Sequence, residues 1–193
     1  MRRLAGIIVG LGLGLVVVSF VFLAIIFRPI VEVEWQYQKI KGNVKSEVEP
    51  VDSEFGLVIP KIGANAKVIP NVNAFDANSY QWALTKGVAH ARGSALPGES
   101  GRVFIFSHSS VNFYEASRYN SIFYLINKLE SGDEIKVYYK DRKYLYEVVD
   151  KRVVVAKEVD YLTGGKDGEL VLMTCWPPGT SLKRLLIFAK MRG

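Results

Sequence analysis

Glu169-Leu170-Val171-Leu172-Met173-Thr174-Cys175-Trp176-Pro177-Pro178-Gly179 is an apolar run that ends on the only cysteine of a 193-residue chain. A short apolar run closed by turn residues reads as a strand buried on both faces. The two prolines stiffen its exit and Gly179 permits a tight return, so Cys175 falls at the mouth of a sheet. Nine positions on, Arg184 opens a second apolar run, Leu185-Leu186-Ile187-Phe188. A third, Val103-Phe104-Ile105-Phe106-Ser107, runs into His108, one of only two histidines. A thiol, an imidazole and a guanidinium therefore stand at the ends of three separate strands.

The same texture continues outward from these runs. Leu57-Val58-Ile59 ends at Pro60, and Lys67-Val68-Ile69 ends at Pro70. Glu134 to Tyr139 alternates before a turn at Lys140-Asp141-Arg142, Tyr144 to Val155 makes a long strand, and Leu185 to Lys190 closes the chain. Short strands at this spacing predict an all-β barrel or sandwich. Phe113 to Leu129 carries apolar residues near helical spacing and predicts a helix stopped at Gly132. Asp76 to Ser94 reads as turn and loop, with a short strand around Gly87-Val88-Ala89.

The N-terminus is of another kind. Leu4 to Phe27 carries no charge and would span roughly 36 Å as a helix, against a hydrocarbon core of about 30 Å. The run is longer than a cleaved leader needs and ends Ile25-Ile26-Phe27-Arg28-Pro29, a poor cleavage site, so it reads as an uncleaved signal-anchor. Arg2 and Arg3 before it, against Arg28 after it, put the N-terminus in the cytoplasm and the remainder outside. The organisation expected is an anchor over 1–28, an extracytoplasmic stalk over 29–54 that is partly helical near Val33–Ile40, and one catalytic domain over 55–193. The formal charge is +6, but three of the 25 basic residues flank the span, leaving 22 against 19 acids in the exported part. A surplus that small, without a Lys/Arg block, excludes nucleic acid as the expected partner.

A lone thiol in an exported domain cannot close an internal disulfide. It is either a small buried hydrophobe or kept for chemistry. Beside a histidine it can be a nucleophile whose acid–base partner is at hand, and a strand-end arginine can bind a carbonyl or a developing oxyanion. His90, in Gly87-Val88-Ala89-His90, competes with His108 on spacing, and a structural or groove-lining role suits it as well. No His/Cys cluster has metal-ligand spacing. Calcium could draw on Glu158, Asp160 and Asp167, but surface acids at that density are ordinary, so no cofactor is expected.

Four segments in order resemble the sortases, the membrane-anchored cysteine transpeptidases of bacterial surfaces: Leu57-Val58-Ile59-Pro60-Lys61-Ile62; Gly87-Val88-Ala89-His90 through Ala95-Leu96-Pro97-Gly98; Phe106-Ser107-His108-Ser109; and Thr174-Cys175 with Arg184. Two positions depart from the family's pattern. Val171 stands where Thr-Leu-x-Thr-Cys has its first threonine, and Ser107 stands where a glycine or other small residue usually precedes the histidine. The resemblance implies an eight-stranded sortase-type β-barrel with one or two short helices behind a single transmembrane helix. It implies cleavage of an LPxTG-like C-terminal sorting signal through a thioacyl enzyme, and transfer of the protein to an amine on a cell-wall precursor or a pilin lysine. Cys175, His108 and Arg184 would be catalytic, Thr174 would line the peptide groove, and His90 would fall at a recurrent non-catalytic position. The short 155–169 connection and short 175–184 turn point to a compact class A, D or E type.

Two other classes meet part of this description. An L,D-transpeptidase is also an exported Cys/His acyl transferase, but it sets the two residues close together, unlike His108 and Cys175. A non-catalytic membrane-tethered β-domain for adhesion or pilus structure would share the helix and the strands. It would have no use for Cys, His and Arg at one sheet end.

Overall fold

The computed structural model describes residues 2–41, 48–109, 122–158, 161 and 165–192. The chain divides into two compact units, Met1–Gln36 and Tyr37–Gly193. The first is helical, part of α1 (Arg2–Lys41). Its stretch Val9–Arg28 is long and apolar enough to cross a membrane. Side chains along it are exposed in the protein itself, Leu15 at 68% and Phe20 at 69%, which suits a helix whose solvent is lipid.

The second unit is a closed eight-stranded barrel in the order β1 (Phe55–Ile59), β2 (Ala64–Val72), β3 (Val88–Ala91), β4 (Arg102–Phe106), β7 (Glu169–Trp176), β8 (Lys183–Met191), β6 (Arg142–Val155), β5 (Glu134–Tyr139), closed by the pairing of β5 with β1. The β2–β3 and β4–β7 pairs are parallel and the others antiparallel. This is the mainly β barrel that the strand pattern and the family resemblance predict. The β5–β6 turn is the two residues Lys140 and Asp141, both at positive φ (49° and 59°), the backbone that joins right-twisted strands most closely.

The central strands read as unbroken apolar runs because both of their faces are covered. One set of alternate residues, among them Ile105, Leu170, Leu172, Leu185 and Ile187, is wholly buried. The other set, including Phe104, Phe106, Val171, Leu186 and Phe188, packs with Ala83 and Leu84 of a helix, α2 (Ala77–Leu84). Burying each such side chain stabilises the fold by about 1.5–3 kcal/mol. Val171, the departure from the family's threonine, lies in this layer among phenylalanines, where a methyl packs better than a hydroxyl.

Helix α2 corrects the expectation of turn and loop over 76–94. Asp76 caps it, its carboxylate accepting from the Asn78 N–H at 3.3 Å. The helix then buries Ala83 and Leu84 and stops at Thr85. Pro70 is a second correction, because it lies inside β2 rather than ending a strand. The β2–β3 register shifts between Ile69 and Val72, and Asn71 has φ 56°. A bulge is one of the few places in a paired strand that tolerates a proline without its N–H. Of the helix expected over Phe113–Leu129, residues 113–121 lie outside the described residues. Those that are described form turns and a short 3₁₀ segment, Ile126–Lys128.

Within the second unit the last turn of α1 rests on the barrel. Tyr37 is buried with Lys128 Nζ 5.3 Å from its ring centroid. Ile40 covers Gly63, where a Cβ would fall 2.5 Å from Ile40 Cδ1.

Candidate active site

Strand order alone brings the three predicted groups to one end of the barrel. The β4 and β7 strands run in parallel, with Phe106 opposite Met173, and the ladder continues as Ser107 N–H donates to the Met173 carbonyl at 3.1 Å. The next residues on each strand are His108 and Thr174-Cys175. Across the antiparallel β7–β8 pair, Cys175 is directly opposite Arg184, the position from which side chains share a face. The return between them is tight: Gly179 has φ 78°, and Thr180 N–H donates to the Pro177 carbonyl at 3.0 Å.

Cys175, His108 and Arg184 together line a groove of about 260 Å³. The cysteine is free and half-buried. The His108 ring lies edge-on to Tyr80 of α2, with centroids 6.5 Å apart. The Arg184 guanidinium donates through Nη1 to the Ser181 and Lys183 carbonyls at 3.2 and 3.0 Å, which holds its head near the strand end. An anion or a polarised carbonyl beside Cys175 would meet a fixed positive charge there. Thr174 also borders the groove, but its hydroxyl donates to the Ser107 carbonyl at 2.9 Å and it is 2% exposed. That bond ties the two strand ends carrying His108 and Cys175.

Sequence reasoning did not single out the rest of the wall. Phe75 comes from the loop between β2 and α2, Tyr80 and Leu84 from α2, and Tyr161 from the β6–β7 connection. The Asp76 cap ahead of Tyr80 and Leu84 was the legible signal for α2. Tyr161 sits in a segment without periodicity and had none.

His90 is held elsewhere. It is 3% exposed, its Nδ1 accepts from the Asn71 N–H at 3.3 Å, and its Nε2 lies 3.0 Å from the Ala95 carbonyl and 2.8 Å from Ser94 Oγ. These partners define the neutral tautomer with the proton on Nε2. Burial holds its pKa below the ordinary histidine value against the pull of the Ala95 carbonyl and Glu99. It lines a separate cleft of about 570 Å³ with Phe55, Leu96 and Tyr139, which contains neither Cys175 nor Arg184. Among the described residues no group of three or more His, Cys, Asp or Glu side chains converges as a metal site. Asp160, one of the acids considered for calcium, lies outside the described residues.

A thiol, an imidazole and a guanidinium thus share one groove at the end of a closed barrel. The sortase domain model matches residues 57–192, and the chain belongs to the sortase family. It is similar to sortase D of Bacillus subtilis, 28% identical over 138 residues, which are 69% of this chain and 61% of that protein; the match thus spans under two thirds of that relative's length. Among solved structures it is similar to sortase C-1 from Actinomyces oris, 26% identical with a TM-score of 0.59 over 85% of this chain and 99% of that one. Sortase A from Corynebacterium diphtheriae, in a lid mutant, shares the fold with a TM-score of 0.60 at 23% identity, over 80% of this chain and 77% of that one.

Proposed function

We propose that this protein is a membrane-anchored cysteine transpeptidase that cuts an LPxTG-like sorting signal between Thr and Gly and passes the protein to an amine. The observation that carries the reading is the convergence of Cys175, His108 and Arg184 on one groove. The Cys175 thiolate attacks the threonine carbonyl carbon, and the carbonyl electrons move to oxygen beside the Arg184 guanidinium. The C–N bond breaks, and His108 gives its proton to the departing amine. A thioester remains, reactive enough for an incoming amine to outcompete water. That amine forms the new C–N bond, His108 takes its proton, and the thiolate leaves. The acceptor amine would come from a cell-wall precursor or a pilin lysine.

The groove's lining supports a peptide substrate with apolar positions. Phe75 is 78% exposed at its edge, with Tyr80 and Leu84 beside it. In this reading Thr174 borders the peptide while its hydroxyl stays on Ser107. The apolar span Val9–Arg28, preceded by Arg2 and Arg3, supports an anchor with its N-terminus in the cytoplasm and the barrel outside.

The test uses the full chain in detergent with an LPxTG peptide and an excess amine acceptor, read by mass spectrometry. An acyl adduct on Cys175 and a ligated product are expected, both missing in Cys175→Ala. If no adduct forms and the thiol resists alkylation in the folded protein, Cys175 is a packing residue and the non-catalytic tethered β-domain takes its place.

A further inference from the structure

Arg102, at the start of β4, has no part in the chemistry above, yet it is the hub of a half-buried network. Its Nε and Nη2 both lie 2.7 Å from Glu169 Oε2 at the start of β7, with side chains only 14% and 15% exposed. Its remaining arm, Nη1, donates to the backbone carbonyl of Tyr161 at 2.6 Å. A few residues on, Gly165 (φ 127°) lies flush on the same side chain, where a Cβ would fall 2.6 Å from Arg102 Cβ and 2.7 Å from Nε. The Tyr161 ring stacks on Phe104 of β4, centroids 6.0 Å apart and planes within 16°. Tyr161 lines the groove with Cys175 and Arg184. Burial raises its phenol pKa, against Arg184, while Glu158 and Cys175 raise it further, so the ring feels the charges of the site.

A planar guanidinium can serve a carboxylate and a carbonyl at once, and a lysine cannot keep that fork. We propose that Arg102 is a positioning residue for the groove: paired to Glu169, it holds the Tyr161 carbonyl, and Gly165 packs against it, so that Tyr161 stands as a fixed wall beside Cys175 and Arg184. Arg102 acts only through Tyr161. Its loss therefore weakens capture of the peptide and leaves the thiol chemistry intact.

The proposal rests on the peptide-transpeptidase reading, and the test separates the two. Rates are measured for the full chain in detergent over a range of LPxTG-type peptide concentrations. Arg102→Lys is expected to raise KM by about tenfold or more with kcat changed less than about twofold. Tyr161→Ala should do the same, and Tyr161→Phe, which keeps the stack on Phe104, should stay near the parent. In the double variant Arg102→Lys/Tyr161→Ala the KM should equal that of Tyr161→Ala alone, because the second change removes what the first acts through. Multiplying defects, or a fall in kcat with KM unchanged, would overturn the proposal. Hydrogen exchange gives a readout without substrate: peptides containing Tyr161 and Gly165 should exchange about tenfold faster in Arg102→Lys while β4 and β7 keep their protection. Unchanged exchange there refutes the clamp. Should Arg102→Lys not accumulate folded, Gly165→Ala, which drives a methyl into the Arg102 side chain, carries the same expectations. If the parent protein does not turn the peptide over, the substrate reading fails and the exchange comparison still decides the role of Arg102.

Discussion

At the scale of single residues, the two histidines differ by what surrounds them. His108 sits at a strand end on an open groove, and His90 has both ring nitrogens engaged inside the protein. His90 is neutral in the fold with its pKa lowered by burial. Protonation therefore favours the unfolded chain, and the stability tied to His90 is present above about pH 6.5 and lost as pH falls below it. The melting temperature should drop as pH falls below about 6.5, and His90→Gln, less stable at neutral pH, should flatten that slope. A parent curve that stays level there would rule the linkage out. Asp52, whose carboxyl is held low chiefly by Lys67, titrates well below that pH. Arg184 answers to a kinetic test instead: Arg184→Ala should cost about a hundredfold to a thousandfold in kcat with the fold intact, as removal of an oxyanion partner does. Equal kcat in that variant would make the guanidinium a surface charge. The convergence of Cys175, His108 and Arg184 on one groove was legible because each ends or opens an apolar run, and strand order brings those run ends together. Tyr161 was not, since what holds it is an arginine far away in sequence.

At the scale of elements, α2 is the piece on which groove shape depends. It crosses between the parallel strands β2 and β3 and brings Tyr80 against His108. With only eight residues it has little intrinsic stability, so its cap and its buried Ala83 and Leu84 hold it. Asp76→Ala should lower stability by about 1 kcal/mol through the lost cap, and raise KM for peptide through a frayed groove wall. A KM equal to the parent's at the lower stability would show that α2 keeps its place by packing alone. The helix escaped the sequence because its turns are short and its apolar face narrow. The strands did not, because two-sided burial writes them as continuous runs such as Val103 to Phe106. Pro70 misled for a local reason: proline forbids ladder donation in general, and the bulge at Asn71 removes the need for it here.

The whole molecule joins a helix apolar enough to cross a membrane to a barrel of the sortase family. The apolar span Val9–Arg28 was readable as an uncharged run, but the helix continues past Pro29 to Lys41, over residues that read as a partly helical stalk; the expected side of the membrane rests on three arginines. The lone thiol makes that side measurable without any engineered probe, since Cys175 is half-buried in a groove and has no competitor in the chain. A membrane-impermeant maleimide applied to intact cells should label the protein, and Cys175→Ala should abolish the label. Prior incubation with an LPxTG peptide should slow labelling, because the thioacyl enzyme carries no free thiol. Labelling only after the membrane is permeabilised would place the barrel in the cytoplasm. That outcome would remove cell-wall precursors and pilins as acceptors, whatever the purified enzyme does to a peptide. Rapid labelling that peptide does not slow would keep the orientation and cast out the substrate. Orientation and chemistry are thus separable on one sulfur atom.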